Sequence, residues 1–280
     1  GVDFIKLHSQ LNREVYFATI RAARAKGLPV AGHVPRIITV QEASDSGMAS
    51  VEHLLQFPTP CTPAESLALQ PRFPIQSVLG RCTSADLTPL FARVAQNGTR
   101  VVPTLVAGYE IAHWPKRDLP GDAYGHHLPD TLRQFVQQIF PIPDSIPPDA
   151  DVVGHTLLEK RVALVGALHR AGVIVLPGTD APLRNSPPGF GLHEELAQFA
   201  RAGLSPFDVL RAATLEPARF LGLADSLGTI APGKLADLVL LDANPLADVA
   251  NLRRISAVVA NGRLIDAAGR GALLRGASGR

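Results

Sequence analysis

Four residues able to bind a metal ion or to move a proton stand at or near the ends of successive apolar segments. They are Lys6 in Asp3-Phe4-Ile5-Lys6, His33 after Ala31-Gly32, His53 after Val51-Glu52, and Asp180 after Pro177-Gly178-Thr179. Two imidazoles and a carboxylate suit a zinc-type catalytic site that keeps one coordination position for water. Each residue alone also has an ordinary role, as a hydrogen-bonded histidine, a turn aspartate or a solvated lysine. The metal-site prediction therefore rests on the recurrence of such residues at equivalent positions in successive segments.

Apolar segments alternate with helical patterns over the first two hundred residues, which is typical of a parallel α/β sheet. The pattern predicts strands over 2–7, 28–34, 49–54, 100–106 and 173–176. It predicts helices over 12–26, 39–46, 87–96, 155–171 and 192–202, and another that starts at Ser205. In a closed or partly closed barrel the carboxyl ends of parallel strands converge on one face. We therefore expect the four residues to share one site.

The last part of the chain has a different pattern. The segments 235–241 and 257–265 favour β structure, and Asn261-Gly262 predicts a tight hairpin turn. This predicts two domains, an α/β part over 1–224 and a small β element over 225–280.

Two long proline-rich connections, over 55–86 and 107–154, lack clear periodicity. Loops of that length in a compact domain are usually functional or disordered. The second connection carries aromatic and polar residues, including Tyr109. It could form a lid over the substrate, or it could be a solvent-exposed surface loop. His193 follows the last barrel strand, where it could contact substrate or pack at a helix start.

Composition excludes several classes of function. The chain has 280 residues, and 46% are hydrophobic, which is enough for a packed core. The net charge of +2 is too small to suggest electrostatic binding of nucleic acid. The two cysteines do not make a thiolate zinc site, and no apolar run is long enough to span a bilayer.

The sequence resembles the amidohydrolase superfamily, in its prolidase-like and imidazolonepropionase-like branch. The resemblance rests on the four segments that contain Lys6, His33, His53 and Asp180. Further along the chain it rests on His193-Glu194-Glu195-Leu196, Ala212-Ala213-Thr214, Gly233-Lys234-Leu235-Ala236-Asp237 and Asn244-Pro245-Leu246. It implies a metal-dependent (β/α)8 barrel enzyme that cleaves C–N bonds with metal-activated water.

The resemblance also implies roles for the four residues. Lys6 would carry a carbamate that bridges two divalent ions, with zinc as the default metal and one or two ions bound. His33 and His53 would bind the second metal. Asp180 would bind the first metal and handle the proton as the catalytic residue.

One departure from the family pattern changes the expected architecture. The family holds its first metal with a His-x-His pair on strand one, and this sequence contains no such pair. If Lys6 lies on strand four, the five predicted strands are strands 4–8. We therefore expect a partial TIM barrel with a C-terminal piece of a small β-sandwich, from an N-terminally truncated enzyme.

The resemblance points to a small-molecule amide substrate, with dipeptides or N-acyl amino acids as the first choice. Hydrolysis of a cyclic amide, as by imidazolonepropionase, is the alternative within enzymes. A third hypothesis is a catalytically incompetent partial barrel, completed by a homo-oligomer or by a missing N-terminal segment. Turnover on dipeptide and cyclic-amide panels separates these hypotheses.

Overall fold

The computed structural model describes residues 1–54, 56–57, 85–107, 129–139, 150–182 and 188–278. The chain divides into two compact units. The first contains Gly1–Thr104 and Glu159–Leu176, and the second contains Leu105–Leu158 and Pro177–Arg280. The domain boundary predicted after residue 224 remains a prediction.

Short parallel strands form the centre of the first unit. They are β1 (Ile5–Leu7), β2 (Val30–Gly32), β3 (Ser50–Glu52) and β4 (Arg100–Val102). β1 pairs with β2, placing Lys6 opposite Ala31, and β3 pairs with β4. A backbone hydrogen bond of 2.7 Å from Ala49 to Val30 joins the two pairs. Neighbouring strands therefore follow chain order, as the predicted parallel α/β arrangement requires.

The helices of the first unit begin and end where the sequence provides caps. They are α1 (Arg13–Ala25), α2 (Val40–Asp45) and α3 (Thr88–Gln96). Asn12 caps α1 by accepting a hydrogen bond from the Val15 N–H, and Gly27 follows α1 with a φ of 70°. Thr39 and Glu42 form a reciprocal capping box at the start of α2.

The core of the first unit lies between the strands and these helices. Most of its strand residues are apolar, and the polar ones are Lys6, Ser50, Glu52 and Arg100. The fully buried side chains include Tyr16 and Ile20 of α1, Val30 of β2, Val101 of β4 and Phe91 of α3.

The remaining helices are α4 (Asp130–Ile139), α5 (Ala150–Arg170), α6 (Phe190–Arg201), α7 (Pro206–Ala213) and α8 (Leu215–Phe220). The predicted start of α7 is confirmed, since the Ser205 hydroxyl accepts a hydrogen bond from the Asp208 N–H. The second unit contains most of these helices, and α5 runs from the second unit into the first.

An antiparallel sheet follows near the end of the second unit. It consists of β5 (Leu238–Leu241), β6 (Ile255–Ala260) and β7 (Arg263–Ile265), in that order. A 3-10 helix (Val249–Arg253) precedes β6, and α9 (Ala267–Ser278) follows β7. Asn261 and Gly262 both have positive φ, 51° and 76°, between β6 and β7. The predicted two-residue hairpin turn is confirmed.

Two expectations need correction, and one helix was missed. The segment 173–176 forms only a single parallel bridge, between Val175 and Val101, rather than a full strand. The connection 107–154 is not irregular throughout, because it contains α4 and the start of α5. The helix α9 was not predicted.

Most of the connection 55–86 lies outside the described residues. Within the described part of the chain, no helix is long and apolar enough to cross a membrane.

Candidate metal centre

Three of the four predicted residues lie at strand ends of the first unit. Lys6 lies in β1, His33 follows β2 directly, and His53 follows β3 directly. β1 and β2 run parallel, and the 2.7 Å backbone hydrogen bond from Ala49 to Val30 sets the start of β3 beside β2.

Gly32 sets how closely β2 approaches β1 at this end. Its φ is +120°, and a Cβ built there would lie 2.3 Å from the Leu7 carbonyl oxygen. Only glycine has this conformation available without strain and without that collision. The next residue, His33, donates its backbone N–H to the same carbonyl at 3.0 Å. The glycine therefore places His33 against the end of β1.

The imidazoles of His33 and His53 lie side by side, with their ring centroids 4.6 Å apart. The Nδ1 of His33 lies 3.4 Å from the Leu7 carbonyl oxygen. The Nδ1 of His53 lies 2.8 Å from the Thr104 hydroxyl, which itself donates to the Pro103 carbonyl at 2.8 Å. A carbonyl, and a hydroxyl whose proton is already used, can only accept from a ring N–H. In its neutral form each ring would therefore carry the proton on Nδ1 and present the lone pair of Nε2.

The electrostatic surroundings favour a neutral His33. Burial lowers the pKa of His33 below its ordinary value, and the charges of His8 and Lys6 lower it further. The hydrogen bond to Leu7 and the charge of Glu52 act in the opposite direction. A neutral imidazole is the form that binds a metal ion.

Glu52 joins this pair of histidines, which the sequence did not predict. Its Oε2 lies 2.8 Å from the Lys6 Nζ and 3.7 Å from the His53 Nε2. The side chains of Glu52 and His53 are each 13% exposed, whereas Lys6 is half exposed. One ligand atom from each of His33, Glu52 and His53 lies within 4.8 Å of the other two. These residues form a His-Glu-His cluster, the name used below.

His8, which the sequence pattern did not assign to the site, also lies beside the cluster. It is exposed, but its ring centroid lies 4.5 Å from that of His33. The spacing of Lys6 and His8 along the chain was the available signal, because residues two apart in an extended segment share a face.

The backbone at the end of β3 is held in an uncommon conformation. His53 and Leu54 have φ values of 67° and 59°, and Thr104 has a φ of 47°. Such values cost free energy for residues other than glycine and persist only where surrounding contacts impose them. Arg161 of α5, which is only 6% exposed, supplies one such contact by donating to the His53 carbonyl at 3.3 Å.

The other predicted residues lie elsewhere. Asp180 belongs to the second unit, where it is exposed and has a φ of 53°. His193 lies in α6 of that unit, half-buried. Burial lowers the pKa of His193, and the charge of Arg253 lowers it further. Tyr109 lies outside the described residues. The catalytic, metal-binding and substrate-binding roles predicted for Lys6, His33, His53, Asp180, Tyr109 and His193 remain predictions.

The donor chemistry of the His-Glu-His cluster fits a divalent metal. Two neutral imidazole nitrogens and one carboxylate oxygen suit zinc, iron, manganese or cobalt. The hydrogen bonds to Leu7 and Thr104 orient both rings in the way that supporting partners of metal-binding histidines do.

Comparison with known proteins gives matches along most of the chain. The model of the amidohydrolase family matches residues 8–265. Adenine deaminase 2 of Rhizobium meliloti (strain 1021) is 46% identical over 115 residues, which are 41% of this chain and 18% of that protein. The adenine deaminase of Moorella thermoacetica (strain ATCC 39073 / JCM 9320) is 41% identical over 68 residues, 24% of this chain and 10% of that protein.

Solved structures match over nearly the whole chain. A bottromycin amidohydrolase superimposes with a TM-score of 0.72 and 25% identity, covering all of this chain and 60% of that one. A Xaa-Pro dipeptidase with bound methionine gives a TM-score of 0.57 and 21% identity, over 95% of this chain and 55% of that one. The chain thus spans little more than half the length of these structures and less than a fifth of the deaminases.

Proposed function

The chain belongs to the amidohydrolase family, and on that premise we propose that it acts as a metal-dependent hydrolase of C–N bonds in small molecules. The observation that carries the proposal is the meeting of two imidazoles and a carboxylate in the His-Glu-His cluster, with one ligand atom of each residue within 4.8 Å of the other two. Because that cluster stands at the carboxyl ends of parallel strands, it occupies the place where barrel enzymes carry their active sites.

The architecture we propose is the partial barrel expected from the sequence, with strands 4–8 of a TIM barrel and a C-terminal piece of a β-sandwich. The support is the succession of parallel strands in chain order and the antiparallel sheet β5–β6–β7. The fold likeness to amidohydrolase structures agrees with it.

His33 and His53 are the residues that would hold the metal, through Nε2. A divalent ion there would supply Lewis acidity, which lowers the pKa of a bound water and polarises a carbonyl oxygen. Zinc is the default for these ligands. Lys6, as a carbamate, and Asp180 complete the set for one or two ions under the family pattern.

The chain's own residues would then position groups and move a proton. The Leu7 carbonyl and the Thr104 hydroxyl hold the two imidazoles in the tautomer with Nε2 free of hydrogen. Asp180 accepts a proton from the attacking water and transfers it to the leaving nitrogen, which general acid–base catalysis requires for an amine to depart.

Dipeptides or N-acyl amino acids are the first substrate class that we propose. The prolidase-like branch supports it, and so does the fold shared with a Xaa-Pro dipeptidase. A cyclic-amide substrate is the alternative. The 46% identity over 115 residues to a protein named as an adenine deaminase is the reason to include adenine among the substrates tested.

Replacing Asp180 with Asn tests the proposed role of Asp180. Turnover of the preferred substrate from a panel of dipeptides, N-acyl amino acids, cyclic amides and adenine should fall by at least about 100-fold, the usual contribution of a general acid–base group. The fold should be retained in circular dichroism. Asp3→Asn, which neutralises an exposed carboxylate of the first unit, is the control and should keep full turnover.

Three results are informative. Retained turnover in Asp180→Asn refutes the role of Asp180. Turnover of adenine or cyclic amides without dipeptide cleavage selects the alternative substrate class. Metal-loaded wild type that turns over no member of the panel contradicts the hydrolase proposal for this chain alone. That result favours the third hypothesis, a partial barrel that needs a second copy or a segment bearing His-x-His.

A further inference from the structure

We propose that Glu52 is a metal ligand, and that His33, Glu52 and His53 together bind a single divalent ion within the first unit. This inference rests on the proposed metal dependence and goes beyond it, because the family pattern assigns the third position to a carbamate on Lys6. The His-Glu-His cluster needs neither that modification nor a His-x-His pair.

The spacing of the donor atoms supports ligation by Glu52. Ligands bound tetrahedrally at about 2.1 Å from zinc lie roughly 3.4 Å apart. The Glu52 Oε2 and the His53 Nε2 are 3.7 Å apart, already close to that value. All three ligand atoms lie within 4.8 Å of one another. Small side-chain rotations therefore suffice to bring them around one ion.

The surroundings of the three side chains are those of a built site. His33 and His53 are each oriented by a hydrogen bond at Nδ1, to Leu7 and to Thr104. Glu52 is fixed on a paired strand, opposite Val102 of β4. Because the ligands are held by backbone and by buried partners, little side-chain ordering remains to oppose binding of an ion.

Charge balance gives Lys6 a different role from the one that the family pattern implies. Glu52 is only 13% exposed, and a carboxylate removed from water needs a cationic partner. The Lys6 Nζ, at 2.8 Å, is that partner in the structure. A divalent ion would take over this role, so Lys6 competes with the metal for Glu52. A carbamate on Lys6 would instead place a second negative charge against Glu52.

These two uses of Lys6 predict opposite results. If Glu52 is the ligand, removing the ammonium in Lys6→Met frees the carboxylate, and the ion binds more tightly. If a carbamate on Lys6 is the ligand, Lys6→Met binds the ion more weakly, and wild type gains affinity when bicarbonate is added.

The experiment is titration of the metal-stripped chain with Co²⁺, followed by visible absorption, and with Zn²⁺ in competition. Wild type should bind one ion, and Glu52→Gln should bind it at least about tenfold more weakly, since even loss of an outer partner costs that much. Glu14→Gln, an exposed carboxylate of α1, is the control and should match wild type. Glu52→Asp keeps the charge and should recover part of the affinity.

Circular dichroism of each variant shows whether it is folded, and Glu52→Asp serves if Glu52→Gln is not. Unchanged Co²⁺ affinity in folded Glu52→Gln, with loss in His33→Asn and His53→Asn, overturns the role of Glu52 and leaves the metal-hydrolase proposal standing. Weaker binding in Lys6→Met, with a bicarbonate response, overturns it in favour of the carbamate. Failure of wild type to bind either ion overturns both proposals.

Discussion

Replacing Gly32 with Ala should separate the two strand ends that carry the metal centre. The added Cβ would lie 2.3 Å from the Leu7 carbonyl oxygen and 2.9 Å from the Leu7 nitrogen. The first distance is about 0.7 Å short of the 3.0 Å below which real Cβ contacts essentially do not occur. The colliding atoms belong to the backbone, so no side chain can rotate away. β1 and β2 must move apart.

The cost has two parts. A residue with a Cβ at a φ of +120° carries roughly 1–3 kcal/mol of backbone strain. Forcing an extra methyl group into a packed site costs typically about 1–3 kcal/mol more. The free energy of unfolding should therefore fall by about 2–6 kcal/mol, which is a large share of a total of about 5–15 kcal/mol.

Urea denaturation and Co²⁺ titration measure the two consequences. The displaced strands lengthen the 3.0 Å hydrogen bond from His33 to Leu7, so we expect weaker metal binding as well as lower stability. Gly27→Ala is the matched control, because Gly27 also has a positive φ but its Cβ would meet nothing within 4 Å. It should lose about 1–2 kcal/mol from backbone strain alone and bind Co²⁺ normally. Equal destabilisation in both variants, with metal affinity intact in Gly32→Ala, would refute the reasoning.

Two further changes test other contacts of the first unit. The pKa of Glu42 is lowered from 4.5 to about 2, chiefly by the hydrogen bond that Arg13 donates to it. A carboxyl group whose pKa is lower in the folded state stabilises the fold fully at pH values above its unfolded pKa. This stabilisation is lost as the pH falls through the folded pKa of about 2. Because Glu42 is 37% exposed, solvent screening limits the effect to about 1 kcal/mol. Glu42→Gln should remove this component from melting curves recorded between pH 7 and pH 2, and an unaltered acid profile would contradict the assignment. Thr104→Val deletes the 2.8 Å contact to the Nδ1 of His53 and should weaken Co²⁺ binding by about 10–100-fold. The control Thr19→Val, on the surface of α1, should leave Co²⁺ binding unchanged. Equal Co²⁺ affinities in the two variants would show that Thr104 does not orient the ring of His53.

The sequence predicted the order of elements better than their extent. Caps and turn residues have local chemistry, so the beginning of α7 at Ser205 and the turn at Asn261-Gly262 were correctly placed. The strands were predicted too long, because apolar runs report burial whereas strand ends depend on backbone pairing with neighbours. The segment 173–176 shows this most clearly, since only Val175 pairs.

The missed helices also have physical explanations. In α4, Leu132, Phe135, Val136 and Ile139 recur at helical spacing, but prolines on both sides suggested a loop. In α9 the three glycines at 269, 271 and 276 lower helix propensity by about 1 kcal/mol each, so the pattern gave no helix.

The membership of Glu52 in the candidate site could not be predicted from the sequence for a sharper reason. Successive side chains of a strand point to opposite faces, so neighbours such as Glu52 and His53 should not meet at one ion. In the structure β3 ends at Glu52, and His53 takes a φ of 67° outside the strand. That left-handed residue breaks the alternation, and the two side chains approach to 3.7 Å. The strain is therefore what makes the His-Glu-His cluster possible, and it also predicts where the cluster is fragile. Arg161, which holds the His53 carbonyl, sustains that conformation from outside the set of ligands.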